Sequence, residues 1–443
     1  MKKVFLGVLL LAFAAAPMTT VMAESDVSVT TEVWSRTEYL ENFDDFTDQT
    51  NGSDGIDFTT YRARVDLNVQ VSDDIGACVE IQNFGTWGDA FPLSSQSQDP
   101  VIGNLNTNVN NDTQLYQAYI DLDNVGGSNL SLQVGRQEHT LGNELHMGDN
   151  DFYGGQYFDG IRGDLDFESW ALTFFYYKVT ERSTLPGSSG VFPPGFTNNG
   201  SDDSDFWGIH GSFDVAEGHN LEPYFLYKRD GNEGGSLLGP KYSAGTLGVL
   251  YDHDRTEDGM FDWSVEVAVQ NGEVSFNPGN EPDLSSFIAE GQFGVAFGSD
   301  NAHHAKIGFL LVGDGDDPQD IEAFMELFPD THRRAGAMDV FSSLSSSGVG
   351  GDSFHNLTNI FVGWDWTTGN NTFSAALHQF TLTEDFGGPE DDLGQEIDLM
   401  WEHMSGEHVG LQIGISQFMP GDLFTTPNDE DAMRAWAMLR FRG

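Results

Sequence analysis

The stretch "DFTTYRARVDLNVQVSD", Asp57 to Asp73, decides the fold class. From Tyr61 onward apolar and polar residues alternate: Tyr61, Ala63, Val65, Leu67, Val69 and Val71 against Arg62, Arg64, Asp66, Asn68 and Gln70. Period two is the mark of a strand with two unlike faces. Strands of soluble domains run to about five or six residues, so a clean alternation of this length points to an unusual environment. One face must meet something apolar. The other must meet water, because a packed core does not take two arginines and an aspartate in one row.

Composition narrows the choice. The chain has 443 residues with 19 Lys and Arg against 70 Asp and Glu, a formal net charge of −51. Such a surface excludes nucleic acid as a partner and disfavours polyanions over most of its area. The 34 Phe, 12 Tyr and 9 Trp exclude a disordered acidic chain. With one cysteine, Cys78, the chain has neither a disulfide framework nor a thiolate metal cluster. The start, "MKKVFLGVLLLAFAAAPMTTVMAES", reads as an export signal over residues 1–23, leaving residues 24–443 as one barrel domain. No later apolar run approaches the length of a spanning helix, so any membrane crossing must use strands.

Reading onward from Asp57 in both directions gives about eighteen alternating segments bounded by Gly, Asn, Asp and Ser. Their connections sort by parity. Every second one is tight, as in "SDDI", "NVGGSN", "GHN" and "TTGN", whereas 43–56, 90–111, 143–154, 183–203 and 316–353 are long and polar. Tight turns at one end and long loops at the other are expected of an all-β, antiparallel, up-and-down transmembrane barrel of the outer membrane. On this reading Ala63, Val65, Leu67, Val69 and Val71 face lipid, and the arginine row faces a wet lumen. The pattern recurs at Trp263, Val265, Val267 and Val269, and at Ile397, Leu399 and Trp401. Trp34, Tyr39, Trp87, Trp170, Trp364, Trp366 and Trp401 are candidates for interfacial girdles. The fifth strand, "LSLQVGRQEHTLG", puts Arg136 and Glu138 in phase with its leucines, so either these charges sit at the membrane rim or a bulge at Gly135 turns them inward, and the bulge is the expectation.

Two blocks carry a resemblance. "GRQEHTLGNELHMGDNDFYGGQYFDGIRGDL", Gly135 to Leu165, and "LFPDTHRRAGAMD", Leu327 to Asp339, resemble the central and loop signatures of the alginate export family of outer-membrane porins. The resemblance implies a monomeric barrel of about eighteen strands, with Arg136, Asp159 and Arg162 at the positions of that family's conserved charges. Family members that export alginate narrow their pore with inward arginines. The alginate exporter also carries a long plug between its eighth and ninth strands, where this chain has only Glu217 to Asn220.

The residues expected to line the pore are Arg62, Arg64, Arg136, Glu138, Asp159, Arg162, Asp164 and Arg434, set against the simpler reading that these charges pair across strands and brace the wall. "DPQDIEAFMELFPD", Asp317 to Asp330, spaces Ile321, Phe324, Met325 and Phe328 as on a helix, which could gate the mouth or merely stiffen its loop. "GDGDDPQD" lacks the EF-hand spacing, so no metal site is assigned and no cofactor is expected. The 12 His sit among many acids without a nucleophile elbow, which leaves a barrel hydrolase as a minor alternative. The expectation is therefore a passive outer-membrane channel for small hydrophilic solutes, cationic or neutral, contacting membrane lipid. The alternative is export of an anionic exopolysaccharide such as alginate.

Overall fold

The computed structural model describes residues 26–43, 46, 55–87, 113–180, 204–230, 241–255, 259–275, 282–313, 324, 327–341, 356–384, 391–424 and 429–443. Among them the chain forms β1 (Asp26–Glu41), β2 (Gly55–Ser72), β3 (Ile75–Thr86), β4 (Thr113–Leu122), β5 (Leu130–Gln137), β6 (Phe158–Phe167), β7 (Trp170–Thr180), β8 (Ser204–Ala216) and β9 (His219–Asp230). The circuit continues with β10 (Lys241–His253), β11 (Phe261–Ser275), β12 (Asp283–Phe297), β13 (His303–Val312), β14 (Leu357–Thr368), β15 (Asn371–Thr381), β16 (Asp392–Ser405), β17 (Val409–Pro420) and β18 (Ala432–Arg442). Each strand pairs antiparallel with its sequence neighbours, and β18 pairs with β1, which closes an 18-stranded barrel. Closure leaves no unpaired edge, the condition for strands in a bilayer.

The alternation at Asp57–Asp73 resolves as expected. Val65 and Leu67 are 48% and 37% exposed on the outer face, whereas Arg62 and Arg64 are buried inside at 0% and 8%. Val265, Val267 and Val269 lie on the outer face, and Glu266 and Gln270 are buried within. The turns Val125–Gly127, Gly218 and Gly369 lie at one end, periplasmic in barrels of this kind. The export signal lies outside the described residues.

Three expectations are corrected. Trp34 is not a girdle residue: it shares the inward face with Arg36 and Glu38 and packs on Phe84 and Met438. No bulge occurs at Gly135. Regular pairing of β5 with β4 and β6 keeps Arg136 in phase with Leu132 and Val134, so Arg136 and its partner Asp159 lie on the outward face and do not line the pore. The charge is tolerated because it sits in the last step before the loop, where Asp159 meets it through two hydrogen bonds of 2.7 and 2.8 Å. Gly135, at φ +137°, sits where an added Cβ would collide with the Ala118 carbonyl, so close strand packing rather than a bulge explains this glycine. Third, Phe328 is not in a helix: it forms a parallel bridge with Met147, while Ile321 and Met325 lie outside the described residues.

Candidate functional site: the lumen constriction

The barrel is narrowed by its own chain. The segment after β5, residues 138–157, and the segment 327–341 before β14 fold into the lumen and join each other. The Phe328 amide donates to the His146 carbonyl at 2.9 Å, and Gly148 donates to the Phe328 carbonyl at 2.8 Å. Apolar side chains of both segments, including Leu145, Met147, Tyr153, Leu327, Met338 and Phe341, pack on inward residues of the wall such as Phe158, Phe206 and Phe380. Phe324 belongs to the same cluster. The helical spacing therefore marked residues that do bury, though in an extended setting at Phe328.

Beside this cluster, and joined to it at Tyr153, stands a wall of charge on β18, β1, β2 and β3. Arg36 and Glu38 alternate with Trp34 on β1, Arg62 and Arg64 follow on β2, and Arg434, Arg440 and Arg442 lie on β18. Each arginine has a carboxylate. Arg36 meets Glu38 at 2.6 Å, and Arg434 bridges Glu38 at 2.7 Å and Asp339 at 2.6 Å. Arg62 contacts Glu32 and holds Asp151 at 2.5 Å. Arg64 lies 3.5 Å from both Asp151 and Glu138 and stacks over Tyr116, its guanidinium carbon 3.9 Å from the ring centroid. Arg440 and Arg442 reach Asp151 at 3.4 and 3.6 Å. A β-bulge on β4 turns both Tyr116 and Gln117 into this network.

Two loop carboxylates thus pin the inserted segments to the wall. Burial opposes ionisation of Asp151, but Arg62, Arg64 and Arg440 outweigh it and hold the carboxyl below its usual value. Asp339 is likewise buried, yet His332 at 2.9 Å and Arg434 keep it ionised. Glu138 goes the other way: burial dominates over Arg64 and pushes its carboxyl up to about 7. On the far side Arg334 pairs with Glu290 at 2.7 Å, and the Met338 amide donates to Glu396 at 2.7 Å. Gly336, at φ +85°, lies against the Glu396 carboxylate where a side chain would not fit.

Of the sequence candidates, Arg62, Arg64, Glu138 and Arg434 converge on this constriction. Arg162 and Asp164 pair with each other at 2.8 Å on β6, outside the network. Sequence reasoning missed Asp151 and Asp339, although both lie inside the two quoted signature blocks; loop acids carry no periodicity to mark them. Below the inserted segments, toward the turn end, a cavity of about 420 Å³ opens among Lys306, Arg333, Asp365, His378, Asp398 and Phe361. The carboxylates Glu144, Asp149 and Asp330 lie close together, but Arg333 already occupies Glu144 at 2.8 Å.

With this geometry in hand, comparisons place the chain. A sequence profile of the alginate export family matches residues 25–438. No curated protein sequence matches. Among solved structures, OccK8 (OprE) of Pseudomonas aeruginosa superposes with a TM-score of 0.58 at 12% identity, covering 95% of this chain and 99% of that one. OpdL of Pseudomonas aeruginosa gives 0.59 at 12% identity over 94% and 99%. OccK9 (OpdG) of the same organism gives 0.57 at 14% identity over 94% and 98%. At such identities the likeness is one of fold.

Proposed function

Because the chain belongs to the alginate export family of outer-membrane β-barrel porins, we propose that it is a passive channel for small hydrophilic solutes, cationic or neutral, rather than an exporter of anionic polymer. One observation carries the reading: the lumen arginines are neutralised where the inserted segments narrow the pore. Glu32, Glu38, Glu80, Glu138, Asp151 and Asp339 stand within 4 Å of Arg36, Arg62, Arg64, Arg434, Arg440 or Arg442. A paired arginine offers a passing anion little unless the ion displaces a carboxylate held at contact distance. The inserted segments are bound to the wall and to each other, which favours a fixed constriction over a swinging gate.

The second reading, passage of an anionic polysaccharide, draws on the arginine run itself. Arg440 and Arg442 remain 27% and 58% exposed toward the periplasmic side and would be the first cations such a chain met. The barrel acts as a monomer without a cofactor, and the His332–Asp339 pair serves to fasten a loop rather than to activate a nucleophile. Reversal potentials across a planar bilayer under a potassium chloride gradient test the choice. Cation preference supports the proposal; clear anion preference, or block by micromolar uronate oligomers, overturns it in favour of the second reading.

A further inference from the structure

Among the described side chains, the outward face of this acidic barrel carries its basic residues in one place. Among the described side chains on the strands, those that are basic and point outward are Arg136, Lys178 and Arg229. They are not scattered. Arg136 on β5 is the cross-strand partner of Asp159 on β6, Asp159 of Lys178 on β7, Lys178 of Asp205 on β8, and Asp205 of Arg229 on β9. Five consecutive strands thus place Arg, Asp, Lys, Asp and Arg in a single row around the barrel. Past β10, where Ser243 follows Arg229, the row continues as Glu273 on β11 and Asp283 on β12, so the cations are confined to an arc.

Height fixes what this arc meets. The row lies at the loop end of every strand it crosses. One outward step toward the turn end from it stand Tyr176, Trp207 and Tyr227, with Ile209 and Phe225 next on the same face. Tyr and Trp mark the boundary of the hydrocarbon, so the next step outward is at the depth of the lipid headgroups. The Tyr176 hydroxyl donates to Asp205 at 2.6 Å, which ties the row to that aromatic layer, and on the loop side of the row the Tyr157 ring lies under the Arg136 guanidinium at 4.5 Å. Strands are about 4.8 Å apart, so cations on alternate strands are roughly 10 Å apart along the rim. The side chains stay open to the outside: Arg136 is 30% and Lys178 32% exposed.

We infer that the row Arg136–Asp159–Lys178–Asp205–Arg229 is a docking surface for the phosphate groups of an anionic glycolipid in the outer leaflet. Arg229 supplies planar donors suited to phosphate oxygens, whereas Arg136, whose donors are taken by Asp159 and the Leu115 carbonyl, and Lys178, held by Asp205, contribute positive charge alongside it. Asp159 and Asp205 hold the cations in line and prevent their mutual repulsion from splaying the row. The surface is outside the pore, so the inference stands whatever solute the lumen passes.

Native mass spectrometry of the detergent-solubilised barrel tests it with two lipids, a bis-phosphorylated acylated disaccharide of the lipid A type and the same molecule without phosphates. The wild-type protein should bind the phosphorylated lipid at least about tenfold more tightly, the scale of one lost charge-assisted contact. Combining Arg136→Gln, Lys178→Gln and Arg229→Gln should remove that preference while heat-modifiable gel mobility stays that of a folded barrel. Equal binding of the two lipids by the wild type overturns the inference, and this arm needs no variant. A folded triple variant that keeps the preference also overturns it. So does a wild-type oligomer that the triple variant dissolves independently of lipid, which would make the row a contact between copies.

Discussion

Asp151→Asn is the sharpest test of the constriction. The substitution keeps the shape of the side chain and removes one negative charge that lies 2.5 to 3.6 Å from Arg62, Arg64, Arg440 and Arg442. The lumen at that level gains one net positive charge. For an ion passing about 8 Å away, a unit charge in an effective dielectric of about 20 is worth about 2 kcal/mol. Mobile salt at physiological strength, with a screening length of about 8 Å, reduces this to about 0.8 kcal/mol. The change has opposite sign for an anion and a cation, so their permeability ratio should move by about 1.5 kcal/mol, roughly tenfold toward the anion. The reversal potential under a potassium chloride gradient reads this directly, with heat-modifiable mobility as the control for folding. A folded Asp151→Asn channel whose selectivity stays within about twofold of wild type would mean that ions do not pass this cluster, since even the screened figure exceeds that.

Other outcomes follow from the same geometry. With its carboxyl raised to about 7, Glu138 should give cation preference that increases as pH rises through that value; Glu138→Gln should abolish the step and hold selectivity at its acid-side level. The folded chain retains a proton there that the unfolded chain has already lost, so stability falls from the ordinary carboxyl value up to about pH 7, and thermal melts of wild type and Glu138→Gln should diverge over that window. Leu439 is 56% exposed on the lipid face and Arg440 points inward, so Leu439→Asp should impair membrane assembly in whole cells far more than Arg440→Gln, and equal defects would refute the register of β18. For sidedness, Leu423→Cys at the loop end should react with an impermeant thiol reagent on intact cells and Gly126→Cys should not; the reverse pattern would invert the barrel in the membrane.

Alternation was enough to find this barrel because the period of a strand is local: in β2, Arg62 and Val65 declare opposite faces within four residues. Loop parity was equally legible, since an up-and-down barrel turns tightly at one end only, and the inward direction of Arg62, Arg64 and Arg434 followed from the same count. Periodicity lost its hold where apolar and polar residues no longer declare their own faces. Trp34 looked like a girdle aromatic, but its neighbours Arg36 and Glu38 share its face, and the arginines beside it, with guanidinium carbons 5.2 and 5.3 Å from its ring, make an aromatic lumen wall favourable. Between a bulge and a rim position for Arg136 the alternation alone gives no choice; Asp159, 23 residues away, lets the charge stay on the outer rim.

The constriction belongs to tertiary structure altogether. Arg62 finds Asp151 at a separation of 89 residues and Arg434 finds Glu38 at 396, so no window of sequence contains either pair. What sequence by itself determined was the surface each strand presents, because side-chain direction is fixed by backbone geometry one residue at a time. Which loops enter the lumen, and which acids neutralise its arginines, was decided only when barrel closure brought β18, β1 and β2 against the segments at Asp151 and Asp339. Those contacts depend on where the whole circuit of strands places each loop, and a charge buried in such a site persists only with the partner that closure delivers.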